Sequence, residues 1–492
     1  MDAGTRVGAG GRNRLAAALT RGPVEVLDFV LPLWAGGVLG ASAAQVGLLV
    51  ALETLVSLLA RPIAGHLADR TDRAGLAAVG AAGYGLSFAG YAVAPGLGLA
   101  FAAAAVGGAG GALFWVALRA RVGEGLAGDS GAYSALFAAE GVGTWIAFAA
   151  GLSLVPIIDY RGVFALGAVA CAVAAAVLLR ERGATPVPDG GPVSAGGLGR
   201  RLRPMLALVA VTALAESGVA LLLLLHLQRG HDLELGEIAA VFLPGFIVYS
   251  TLPDFLHRFV VRWGRTRVLV LALLCSAGFA AGLSFAPNPW VIGGMWILSA
   301  VAFAAAIPVE QAVIAEAAGG SLGRGMGIYE TAMLLGATVG TATAGALYSA
   351  GDGWRYACLG AAALLLGGTV AVRPALRALG VVERPAPPGP GPGRPESGPG
   401  RQPKARPGRK PPRPRIGGWF RHVGIYVVVQ AALAVAGYSW PVETVFGGPH
   451  DPGWFWNSSG HWLLNAGRLW TAVLVVDTVW TWGAVLLRRY SY

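Results

Sequence analysis

Apolar runs of about twenty residues recur fourteen times along the chain, divided by stretches that are basic, polar or rich in glycine and proline. A helix rises 1.5 Å per residue, so each run can cross the ~30 Å hydrocarbon core of a bilayer. The pattern predicts membrane helices near residues 23–40, 44–66, 74–94, 97–118, 131–156 and 161–180, then 204–227, 236–256, 267–286, 290–314, 325–349 and 354–373. Two more are expected near 420–440 and 461–487. An even number of spans puts both termini on the same side.

The interruptions set the expected domain plan. A Gly/Pro-rich, arginine-bearing loop at 181–203 divides the first twelve spans into 15–180 and 204–378. These halves repeat at a near-constant offset. Arg70, Asp72 and Arg73 match Arg262, Gly264 and Arg265 at 192, and Asp159 with Leu166-Gly167-Ala168 matches Asp352 with Leu359-Gly360-Ala361 at 193. Val142-Gly143-Thr144 matches Val339-Gly340-Thr341 at 197. Repeated halves are a transporter signature, with the substrate site between them. Residues 379–415 form a linker whose part 384–415 holds 12 Pro, six Gly and nine Lys or Arg. Such a segment cannot bury a core, so it is expected to be a solvated cytoplasmic tether, or one that touches anionic headgroups. Residues 416–492 make a separate two-helix module.

Composition supports an all-α, multi-pass membrane protein. Of 492 residues, 55% are hydrophobic and only 13% charged, against about 25% charged in soluble domains. The net charge of +11 does not point to nucleic acid. With a cytoplasmic N-terminus, all of the 37 Lys and Arg except Arg161, Arg229, Arg355 and Arg468 fall on cytoplasmic segments or the helix ends facing them. That bias is topogenic and predicts a cell (plasma or inner) membrane protein with both termini cytoplasmic. Cys171, Cys275 and Cys358 lie in apolar runs and form no disulfide or metal framework. The basic N-terminus leads into a span rather than a signal peptide. His450, Asp451 and His461 lack tight metal-ligand spacing. With no phosphate-binding loop or nucleophile motif, neither enzyme activity nor a cofactor is expected.

Between the second and third spans lies Gly65-His-Leu-Ala-Asp69-Arg70-Thr-Asp72-Arg73. This stretch resembles the signature loop G-x-x-x-D-[RK]-x-G-[RK]-[RK] of the major facilitator superfamily. Gly65, Asp69, Arg70 and Arg73 match, while Asp72 replaces a glycine and Ala74 a basic residue. Asp also suits a turn. The second copy keeps Arg262, Gly264 and Arg265 but has Val261 in place of the acid. The resemblance covers about residues 15–378 and implies a twelve-helix fold of two six-helix bundles, with two further membrane helices beyond. It also implies a gate in which Asp69 approaches the N-terminal end of helix 11 near Gly325, with Arg119 as its charge partner. Two features common in related drug exporters are missing: a proline in the Gly141–Gly151 stretch of helix 5, and a mid-span arginine in helix 4.

Acids inside spans are the remaining candidates, because an uncompensated charge at a helix centre costs roughly 2.5–3.5 kcal/mol. Glu25 and Asp28 share a face of helix 1. Glu216 occupies the equivalent place in helix 7, so the acids are expected to face each other across the substrate path. Glu53 shares a face with Arg61 and either pairs with it or couples protons. Glu140, Glu310 and Glu330 lie in helices 5, 10 and 11. Glu316 and Glu330 are expected near solvent at the cytoplasmic ends. A carboxylate reached from both sides can carry a proton or pair with a cationic substrate, and this competition is a basis for antiport. The expected partners are therefore a small-molecule substrate, protons and membrane lipids.

The final module holds eight of the 15 tryptophans, which favour the membrane interface. Its start, near Trp419, loosely resembles a small two-helix bacterial module appended to other proteins. Asn465, Arg468 and Asp477 make its second helix polar, for docking to Gln430 or to the transporter core. The leading expectation is proton-coupled export of small amphipathic or cationic compounds. The alternatives are uptake or exchange of a metabolite, and a non-transporting membrane sensor or scaffold.

Overall fold

The computed structural model describes residues 3–180, 195–233, 235–348, 353–385 and 416–446, together with 463–465, 467–468, 470–471, 474 and 478. All regular structure among them is helical. Hydrocarbon offers the backbone no hydrogen-bond partner, so a spanning segment must satisfy itself internally. Asp352, Asp477, His450, Asp451, His461 and most of the linker and final span lie outside the described residues.

The elements are α1 (Ala3–Gly37), α2 (Ala43–Arg70), α3 (Arg73–Val93), α4 (Leu97–Glu124), α5 (Ala132–Leu179), α6 (Ala195–Leu225), α7 (Leu235–Thr251) and α8 (Pro253–Trp263). They continue with α9 (Arg265–Leu283), α10 (Pro289–Ala318), α11 (Leu322–Tyr348), α12 (Gly353–Leu379), α13 (Ile416–Val435) and α14 (Trp440–Phe446). The 48 residues of α5 as straight helix would measure about 72 Å, more than twice the hydrocarbon core. At Asp159 φ is 60° and ψ 173°, outside the helical region, and there the two expected spans meet. The expected span 236–256 is α7 plus α8, broken before Pro253 and continued to Trp263. The first helix starts well before the expected residue 23, because α1 also takes in the basic N-terminal stretch. With α5 counted as two arms and α7–α8 as one span, the helices through α12 make two six-helix bundles, the major-facilitator-type fold.

Two compact units exist: residues 1–233 with 241–391, and 234–240 with 392–492. In the first, the same glycine contacts build both bundles. A Cβ on Gly143 of α5 would lie 2.2 Å from the Ala18 carbonyl oxygen of α1, and one on Gly340 of α11 2.0 Å from that of Leu214 on α6. Gly22 meets the Gly143 carbonyl as Gly218 meets that of Gly340. Small residues let membrane helices touch through their backbones, and dispersion then replaces a hydrophobic driving force absent between lipid-solvated helices. Aromatic packing closes the far end of the N-terminal bundle, where Trp34 stands edge-on to Phe164 (5.3 Å) and Tyr91 (6.0 Å).

The second unit is held by a polar ladder. Along α13, Trp419 donates to Thr478 (2.9 Å) and Tyr426 meets Thr471 (2.5 Å). Trp470 donates to His422 (3.1 Å). Gln430 accepts from Ser439 (2.9 Å), with Gly467 packed beside its amide, and Arg468 donates to Asn465 (2.8 Å).

Gly143→Val is expected to destabilise the protein by about 1–3 kcal/mol or more, because backbone blocks the new side chain. Gly360→Val, where nothing lies within 4 Å of the built Cβ, is expected to leave stability nearly unchanged. Thermal unfolding of the two variants in detergent checks the contrast.

Candidate functional site

The contacts between the bundles gather at the end that carries the α2–α3 and α8–α9 loops. There α2 crosses α11 with no side chain between them. A Cβ on Gly65 would lie 2.7 Å from the Gly323 carbonyl oxygen, and one on Gly327 2.8 Å from that of Arg61. This approach exposes the first turn of α11 to Asp69, whose carboxylate accepts from the backbone N–H of Gly323 (2.6 Å) and Arg324 (3.2 Å) and from Arg324 Nε (2.9 Å). The first N–H groups of a helix have no intrahelical partner and carry partial positive charge, so a carboxylate is well placed there. The contact falls at Gly323 and Arg324, two residues and one residue ahead of the expected Gly325.

The rest of the loop holds this carboxylate in place. Asp72 caps α3, accepting from Ala74 N (3.1 Å) and Gly75 N (2.9 Å), so the acid standing where the family has glycine serves the turn. Arg73 donates to the Ala68 carbonyl (2.9 Å) and pairs with Glu124 (2.6 Å) and Asp69 (3.6 Å). Arg70 is exposed. In the second copy Arg265 pairs with Glu316, shifted from the Arg73–Glu124 pair by the repeat offset of 192. Gly264 takes φ +91°, and Thr266 donates to the Glu383 carboxylate through its N–H (2.9 Å) and hydroxyl (2.7 Å). An acid from the segment after α12 thus sits beside the loop that lacks one at Val261. Arg262 is exposed.

The repeat also predicts a second crossing between the bundles. Shifted by 192, Gly65 becomes His257 of α8, and Gly323 is the counterpart of Gly131 at the start of α5. His257 Nε2 lies 3.0 Å from Ser130 Oγ, and its ring packs on Gly131. One crossing is therefore glycine on glycine, and the other carries an imidazole.

Deeper between the bundles is a buried charge network. Glu330 of α11 is 1% exposed, which overturns its expected place near solvent. Its carboxylate bridges Arg119 of α4 and Arg61 of α2 (3.1 Å). Arg61 also donates to the Glu330 carbonyl. Arg119 reaches Glu140 of α5 (3.5 Å) and stacks on Trp115 (4.9 Å), while Tyr133 donates to its carbonyl (2.8 Å). Two expected pairings fall here. Arg119 does not serve Asp69, and Arg61 does not serve Glu53, since both guanidinium groups turn to the one carboxylate that crosses from the other bundle.

The remaining acids separate into two groups. Asp28 is exposed on α1, about 14 Å along the helix from its end at Gly37. It lies within electrostatic range of Glu25, Glu53 and Arg21, and Glu25 pairs with Arg21 (2.5 Å). Glu53 packs on Gly107 and Gly108 of α4. Glu216 does not face these acids. It accepts from Ser276 of α9 (3.3 Å) and, with Glu310 of α10, lines a narrow cavity of about 20 Å³ inside the C-terminal bundle. Its helix was placed correctly by the repeat, but the packing of α6 on α9 and α12 turns its side chain inward. Gly323, Arg324, Glu124, Glu383 and Tyr329 had not been singled out in the sequence. The 192 offset linking Glu124 to Glu316 was a usable signal for one of them.

Two pseudo-symmetric helix bundles, joined at one end by a charged glycine seal, have the architecture of a transporter. The family model of the Major Facilitator Superfamily matches residues 15–253 and 205–466, and the chain belongs to that family. It is a multi-pass membrane transporter with a small-molecule substrate. Solved structures share the fold. One is the human organic anion transporter MFSD10 (TETRAN), 17% identical with TM-score 0.58, matched over 75% of this chain and 98% of that one. A bacterial homologue of the iron transporter ferroportin in its outward-facing state is 16% identical with TM-score 0.60, over 74% and 98%. The transporter FucP in its outward conformation is 15% identical with TM-score 0.61, over 75% and 98%. A search of curated proteins finds no match.

Glu330→Gln removes the carboxylate shared by two buried guanidinium groups, leaving Arg119 only Glu140 and Arg61 only the backbone carbonyl of residue 330, and is expected to cost about 3 kcal/mol. Glu124→Gln removes a half-exposed partner and is expected to cost about 1 kcal/mol or less. Unfolding midpoints of both variants, measured side by side, check the ranking.

Proposed function

We propose that the chain is a proton-coupled exporter of small amphipathic or cationic compounds. The observation that carries this reading is Asp28, an acid exposed on a membrane helix, within range of Glu53 and Glu25 and with Arg21 as the local cation. An exposed carboxylate is accommodated at such a depth where it meets water, and there it can hold either a proton or a cationic substrate. The two ligands exclude each other, so proton entry drives substrate release.

With the loop end cytoplasmic, as the basic charge bias suggests, the arrangement described above faces outward. Export then needs the Asp69, Arg73 and Arg324 contacts to break, together with the Glu330 bridge, so that the cleft opens inward. In this reading residues 15–180 and 204–378 are the rocking bundles. The loop 181–203 joins them, the basic 379–415 segment tethers residues 416–492 near anionic headgroups, and the membrane is the cell membrane.

The test is accumulation of a panel of fluorescent lipophilic cations in cells expressing the wild type or Asp28→Asn. Wild-type cells are expected to accumulate less dye, with the difference abolished by a proton uncoupler and by the substitution. Wild type and Asp28→Asn both matching empty cells at equal expression would reject cation export and favour uptake or exchange of a metabolite.

A further inference from the structure

Glu216 and Glu310 lie inside the C-terminal bundle and are not among the residues of the seal. Glu216 and Glu310 share a cavity with Thr212, Leu273, Phe303 and Ile307, and among the described residues neither carboxylate has a basic partner. Two full like charges in such a cavity repel, so the arrangement accommodates a proton held by the pair. Glu216 accepts from Ser276, and Glu310 accepts from the hydroxyl of Tyr329 (3.4 Å).

Tyr329 is fully buried, and the next residue of the chain is Glu330. Neighbouring residues of a helix point about 100° apart. Tyr329 therefore reaches into its own bundle, toward α10, while Glu330 reaches across to Arg119 and Arg61. On one side of this pair α11 is fixed to α2 through Gly323 and Gly327, and on the other to α6 through Gly336 and Gly340. Backbone contact at both places leaves little room for independent motion, so a pull on the tyrosine hydroxyl is felt at the glutamate beside it.

We propose that Tyr329 is a positioning residue that couples the C-terminal acid pair to the seal, holding Glu330 on its arginines while Glu310 is charged and releasing it when Glu310 takes a proton. This rests on the proton-coupled reading above. A charged Glu310 is an acceptor for the tyrosine hydroxyl. A protonated one is a neutral and weaker acceptor, and the restraint on Tyr329 loosens. The titratable and charged groups around Glu310 fit this role. From α6 comes Glu216, from α11 Tyr329 and, beyond it, Glu330, and across the seal Arg119 of α4 and Glu140 of α5. From α9 comes the Ser276 hydroxyl, with Cys275 adjacent in sequence, while His257 of α8 is turned to Ser130 and Glu316, further along α10, to Arg265.

The test follows the separation of spin labels at Thr71→Cys and Gly320→Cys in full-length protein, with the native cysteines replaced, as pH is lowered. In the wild type the open fraction is expected to rise about 10-fold, within the range usual for coupled sites. Tyr329→Phe lacks the hydroxyl that bonds Glu310, so it is expected to sit open at every pH, with the response flattened to within about twofold. Glu310→Gln is expected to sit open at every pH, an arm that decides the matter if Tyr329→Phe does not fold. A wild-type pH response in Tyr329→Phe, or a Glu310→Gln protein as closed as wild type at high pH, would overturn the coupling. The dye assay separates the two readings, because uncoupler-insensitive transport removes proton coupling itself, whereas uncoupler-sensitive transport with an unaltered Tyr329→Phe response removes only the role of Tyr329.

Discussion

A carboxylate on the open first turn of a helix organises this molecule. Asp69 meets backbone N–H groups of Gly323 and Arg324 that no residue of α11 can satisfy. It reaches them only because Gly65 and Gly323 bring the two backbones together. The seal is thus made of backbone contact and directional hydrogen bonds rather than interlocked side chains. Such a contact is tight when formed, and no interlocked apolar side chains have to slide past one another for it to part.

Behind the seal the charges balance only when the bundles are together. Arg61, Arg119 and Glu140 belong to one bundle and Glu330 to the other. Separation leaves the N-terminal set with an excess positive charge and α11 with a lone carboxylate, each of which must then be hydrated. In a low-dielectric site that cost is several kcal/mol per ion. The network therefore favours the closed seal, and whatever opens it must supply water or counter-charge. The two crossings differ in the same sense: the α2–α11 contact is glycine on glycine, while its counterpart on α8 and α5 carries His257 and Ser130. One crossing is thus backbone on backbone and charged, and the other is bridged by side chains.

The twelve spans of the two bundles, the repeat and the loop motif were legible in the chain alone, because hydrocarbon imposes a length of about twenty apolar residues and tight crossings impose glycine. The 192 offset was visible in Arg73 and Arg265 and held through to the pairs they form with Glu124 and Glu316. The partners of the buried charges were decided only in three dimensions. Glu53 and Arg61 share a helix face, yet a carboxylate 269 residues further along the chain takes the arginine. Glu216 matches Glu25 in the repeat, yet helix rotation sends it into its own bundle beside Glu310. A sequence states which residues carry charge and on which helix. The rotation and closeness of helices from different halves fix which charges meet, and these depend on packing summed over the whole bundle rather than on any local stretch of chain.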